Sequence, residues 1–120
     1  MSAEAAAQAF CSTMGLPPQP LPLTLSLERS GNLHMESREG SFIMYLTRAM
    51  PLHRKGAAAA ALGAVHPDRA LPFMVHVAFY GEALLVLLIR MTEEGIDLPT
   101  LETAAQILVR LVGEIDAALE

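Results

Sequence analysis

The sequence has no tryptophan, two tyrosines and four phenylalanines, so aromatics are only 5% of 120 residues although hydrophobic residues are 52%. A core made from this chain must be assembled from Leu, Ala, Val and Met instead of large rings. A single cysteine, Cys11, rules out an internal disulfide and favours a reducing compartment. Positive charge is scarce: eight Lys and Arg against thirteen Asp and Glu leave a net charge of −5. That balance argues against nucleic acid as the main ligand, because neutralising phosphates needs a clustered basic surface. Long apolar runs are missing as well. Segments 57–65 and 83–89 fall short of the roughly 20 residues that cross a bilayer. The first residues carry Glu4 and no early Lys or Arg, unlike a secretory signal. The expectation is one cytoplasmic domain spanning 1–120, long enough for a core without disulfides or metal.

Catalytic patterns are equally scarce. His34, His53, His66 and His76 fall on separate elements without paired ligand spacing, so ordinary structural or surface roles outweigh a metal site. Cys11 with a distant histidine could form a nucleophile pair, but a lone cysteine in an apolar helix reads first as a small core residue. A glycine-rich phosphate loop and a GxSxG elbow are both lacking. Glu93-Glu94 precedes Gly95 in a turn, where solvated charge is the default. No catalytic residue, cofactor or metal is expected, and the chain does not read as an enzyme.

What is present is pattern. Residues 2–14 read as a helix with Ser2 as cap, Glu4 in its first turn, Phe10 and Met14 on one face, and Gly15 and Pro17 ending it. From 21 to 28, Leu21, Leu23, Leu25 and Leu27 alternate with Pro22, Thr24, Ser26 and Glu28, a strand with one wet face. A turn at 29–32 leads to a second strand over 33–38, with Leu33 and Met35 inward. Segment 40–54 differs. Phe42, Met44 and Leu46 point one way and Ile43 and Tyr45 the other, so this strand is apolar on both faces.

An alanine-rich helix follows over 55–65, with Gly56 and Gly63. Its small residues suit a helix lying on its own sheet and a helix at a subunit interface equally well. Strand 72–80 alternates Phe73, Val75, Val77 and Phe79 with Met74, His76, Ala78 and Tyr80, again apolar on both faces, and 83–91 is an almost unbroken apolar run. Pro99 opens a last helix to about Leu119, with Leu101, Ala104, Ala105, Leu108, Leu111, Val112, Ile115 and Leu119 in one stripe. The fold class is α+β: a five-stranded antiparallel twisted sheet with three helices in the order α-β-β-β-α-β-β-α. Three helices are few to cover both faces of strands three to five, so another polypeptide is expected on part of them.

Two further features allow several readings. Seven methionines supply adaptable apolar surface, useful on a binding face and equally ordinary in a core. Arg48, His53, Arg54 and Lys55 form a basic cluster at the start of the second helix, where the macrodipole disfavours cations. It could meet an acidic partner, hold the acid-rich last helix, or remain solvated.

Several short motifs, in this order and spacing, resemble the class I chaperones of bacterial type III secretion, and within them the SycN-like branch. They are Phe10-Cys11, Gly15-Leu16-Pro17, Leu46-Thr47-Arg48, His53-Arg54, Leu71-Pro72, Gly81-Glu82, Leu85-Val86-Leu87 and Leu98-Pro99. The resemblance implies a small acidic cytosolic dimer that holds the N-terminal region of a secreted protein in extended form without hydrolysing ATP. It further implies pairing with a YscB-like chaperone subunit, a YopN-like gatekeeper as client, and a TyeA-like protein at the client's C-terminal end. Phe10, Met14, Leu23, Leu25 and Met35 are then candidate client contacts. Ala58, Ala61, Leu62, Val75, Val77 and Phe79, or the opposite-face neighbours of the strand residues, are candidate dimer contacts. A dimeric α/β scaffold of roadblock or longin type is the competing reading.

Overall fold

The computed structural model describes residues 2–50, 56–66, 69–81 and 83–119. The elements run α1 (Ala3–Thr13), β1 (Leu23–Leu27), β2 (Gly31–Arg38), β3 (Ser41–Ala49), α2 (Ala57–Ala64), β4 (Val75–Tyr80), β5 (Leu84–Thr92) and α3 (Leu98–Ala118). That order matches the α+β pattern expected from the sequence. All pairings are antiparallel and the strand order is β1-β2-β3-β5-β4, which leaves β1 and β4 as edges.

Local chemistry explains the boundaries. The Ser2 hydroxyl accepts from the Ala5 amide at 3.1 Å, and the Asp97 carboxylate accepts from the Thr100 amide at 2.9 Å. Each satisfies an amide that a helix start leaves unpaired. Glu39 and Gly40 both have positive φ (50° and 82°), as a two-residue hairpin needs if its twist is to match its strands. Gly31 is required for a different reason. A Cβ there would meet the Thr47 carbonyl oxygen at 2.1 Å, and its φ is 117°. The alanine-rich helix starts at Ala57, after Gly56 in a left-handed conformation. β4 starts at Val75, later than Pro72, because proline has no amide for a ladder.

Register decides the faces. Leu23, Met35, Met44, Ile89 and Val75 form one cross-sheet row, and Leu25, Leu33, Leu46, Leu87 and Val77 the next. Both rows lie on the face covered by the helices, where α3 packs over β3 and β5 with α1 on one side and α2 on the other. α3 buries the expected stripe plus Ile107, while Leu119 packs against its edge. Ile43 and Val86 are buried but stand apart from this core, on the opposite face. That outer face is polar on β1 and β2 (Thr24, Ser26, Asn32, His34) and becomes apolar across β3 and β5 (Ile43, Tyr45, Val86, Leu88). The contrast between half-solvated and two-faced strands expected from the sequence is therefore present.

Candidate functional site

The outer face carries an ordered row. His34 bridges strands, with Nδ1 2.9 Å from the Thr24 hydroxyl and Nε2 2.9 Å from the Thr47 hydroxyl, and its ring stacks on Tyr45 at 4.5 Å. Partial burial lowers the imidazole pKa, opposed by the Glu36 carboxylate, and raises that of the Tyr45 phenol. Farther along, Tyr80 is 69% exposed and Met74 76% exposed. These side chains flank the β4 edge.

On the helix face, α1 and α3 diverge over the ends of β1 and β2. They leave a groove of about 450 Å³ lined by Phe10, Met14, Leu27, Leu33, Ala105 and Val109, with Thr13, Glu102, Gln106 and Arg110 at its polar margin. Met14 is 41% and Val109 36% exposed, whereas Phe10 and Leu33 are buried and form the floor. Phe10 and Met14 share a face because they lie one helical turn apart.

The other candidate client contacts lie elsewhere. Leu23, Leu25 and Met35 are buried in the core beneath the helices, so their side chains present no surface in this conformation. The alternating pattern identified their face but could not say that α1 and α3 cover it. The candidate dimer contacts divide in the same way. Ala58 and Leu62 lie on the exposed side of α2, one turn apart, and Leu62 is 56% exposed. Ala61 and Val75 are buried, Val77 is half-buried against the core, and Phe79 is exposed at the β4 edge.

Two ion pairs tie β3 and the segment before β4 to the C-terminal part of α3. Arg48 Nη2 lies 3.0 Å from the Asp116 carboxylate, and its Nη1 donates to the Arg29 carbonyl at 2.6 Å. Arg48 thus holds the acid-rich helix, while His53, Arg54 and Lys55 lie outside the described residues. Arg69 donates to both carboxylate oxygens of Glu114, at 2.6 and 3.1 Å. This hydrogen bonding raises the Arg69 pKa and lowers that of Glu114.

Cys11 is fully buried. Among the described residues, no three His, Cys, Asp or Glu side chains converge as a metal site would need, and no helix is long and apolar enough to cross a membrane.

The fold is thus one sheet under one helix layer, with an apolar groove at the β1 end and exposed apolar side chains at the β4 end. The family model described as the type III secretory system chaperone SycN matches residues 3–116. The chain belongs to this SycN family of type III secretion chaperones. The chaperone protein SycN of Yersinia pseudotuberculosis is 33% identical over 112 residues, covering 88% of this chain and 89% of that protein. Among solved structures, a chain of the ExsC–ExsE complex superposes with a TM-score of 0.76 at 14% identity, over 97% of this chain and 92% of that one. A chain of the heterodimeric ExoU–SpcU complex from the Pseudomonas aeruginosa type III secretion system gives 0.69 at 19% identity, over 94% and 97%. Of the short motifs that suggested the resemblance, Phe10 lies in the groove, and Leu85-Val86-Leu87 lies in the strand beside β4. Membership in a chaperone family decides against the roadblock or longin reading.

Sequence reasoning missed Thr13, Leu27, Leu33, Glu102, Ala105, Gln106, Val109 and Arg110 as groove residues. One signal was available. Val109 is an apolar residue set among the polar positions of α3, off its buried stripe.

Proposed function

We propose that this chain is a cytoplasmic, non-enzymatic subunit that binds the N-terminal region of a YopN-like secreted gatekeeper, paired with a YscB-like chaperone subunit. A TyeA-like protein would join at the client's C-terminal end. The observation that carries the reading is the open groove between α1 and α3, where Met14 and Val109 stay exposed above an apolar floor. An extended segment gains by burying side chains there, and that gain must exceed the several kcal/mol (about 2–5) that ordering a flexible chain costs. The exposed side of α2 and the β4 edge, with Leu62, Met74, Phe79 and Tyr80, form a second surface suited to the partner subunit.

Co-expression with a YscB-like subunit and the N-terminal segment of a YopN-like protein tests this directly. The expected outcome is a soluble ternary complex. A well-behaved monomer that recovers neither protein would overturn the assignment.

A further inference from the structure

The groove carries charge as well as apolar surface. Glu102 and Arg110 both line it from α3, roughly two turns and therefore about 12 Å apart along the helix. Arg110 lies 4.0 Å from Glu114, but both oxygens of Glu114 already accept from Arg69, and the Arg110 side chain is 58% exposed. Among the described residues no ion pair engages Glu102. The groove therefore offers a carboxylate at one end and a guanidinium at the other, with Ala105, Gln106 and Val109 between them.

An extended chain rises about 3.3 Å per residue, so about 12 Å corresponds to about four residues. In such a chain side chains i, i+2 and i+4 face the same way. A strand laid along α3 with its central side chain over Ala105 and the Phe10–Leu33 floor, midway between the charges, thus presents the residues two positions before and after it to Glu102 and Arg110. We infer that the groove selects an extended client segment in which a large apolar residue is flanked, two positions to either side, by one basic and one acidic side chain. The basic one faces Glu102 and the acidic one faces Arg110. A segment with like charges at both positions would set one of them against its own sign. The two charges thereby set which way a given client lies along α3. This inference rests on the groove being the client site.

The test is a titration of the full chain, with its partner subunit where it needs one, following Met and Val methyl signals. The probes are four synthetic peptides: Lys-Ser-Leu-Ser-Asp, the reversed order Asp-Ser-Leu-Ser-Lys, and the two like-charge versions, each capped and flanked by Gly-Ser. Both mixed orders, lying in opposite directions, should bind about fivefold more tightly than either like-charge peptide, as expected for two exposed charge contacts. The difference should collapse at high salt. The single reversal Glu102→Lys, which makes both ends of the groove basic, should move the preference to the peptide with two acidic side chains.

Equal shifts of Met14 and Val109 with all four peptides would overturn the charge reading and leave the groove as client site. Shifts at neither residue with any peptide would overturn both. Shifts that grow with protein concentration alone would assign the groove to a second copy, again against the inference.

Discussion

At the β1 end of the sheet, α1 and α3 wall a concave groove whose apolar side chains sit on an ordered floor. At the β4 end, the exposed apolar side chains stand on a strand edge and on the outer side of a short alanine-rich helix. The exposed large hydrophobic residues divide accordingly, with Met14 and Val109 at the first end and Leu62, Met74, Phe79 and Tyr80 at the second. The groove at the first end, about 450 Å³, lies between two helices, whereas the second end combines a strand edge with a smaller hollow of about 330 Å³ lined by Val65, Leu71, Phe73, Met74 and Val75. One sheet thereby carries two unlike exposed apolar regions. The helix over its centre, α3, is braced by Arg48 through Asp116 and by Arg69 through Glu114.

Substitution can break that contrast at several strengths. The largest effect is on folding stability. Leu25→Ala removes a side chain buried in the shared core and should cost about 2–5 kcal/mol in urea unfolding. Both binding activities should fall together, and a cost near zero would show that Leu25 is not core. Next, Leu62→Asp combined with Tyr80→Asp should weaken subunit pairing about a hundredfold, with groove methyl shifts on client peptide retained. Sedimentation measures this, and unchanged pairing would remove the β4 end as the partner surface. Met14→Asp should have the reverse profile, with client affinity about tenfold weaker and pairing intact. If Met14→Asp disrupts pairing instead, the two assignments are exchanged.

The smallest effect concerns the outer face. Because the folded state disfavours the imidazolium of His34, its contribution to stability is complete above the ordinary value of 6.5. It is lost as pH falls through the lower, folded-state value. The ring is only partly buried, so the change should stay below about 1 kcal/mol. Thermal melts at stepped pH should show it in the native chain and not in His34→Asn, with neither binding activity affected. Equal pH slopes in the two proteins would exclude His34 as the source.

Much of the fold was legible in local pattern. Alternation over Leu21–Leu27, the two-faced run Phe42–Leu46 and the stripe from Leu101 to Ile115 each reflect a backbone period that a sequence displays directly. Element starts were less accurate where backbone hydrogen bonding governs them, as at Gly56 and between Pro72 and Val75. The candidate site was only partly legible. Phe10 and Met14 share a helix face and both reached the groove, but Leu23, Leu25 and Met35 have the same apolar character and lie beneath the helices. Glu102 and Arg110 lie off the apolar stripe of α3, and no local pattern shows that the distant Phe10, Leu27 and Leu33 share a groove with them.

The sequence by itself determined the element order, the strands that need cover on both faces and the SycN-family membership. These follow from periodicity and from short motifs, which are properties of neighbouring residues. Only the tertiary structure decided which apolar residues remain at the surface. Burial depends on what packs above a side chain, and the placement of α1, α2 and α3 over the sheet joins residues far apart in the chain.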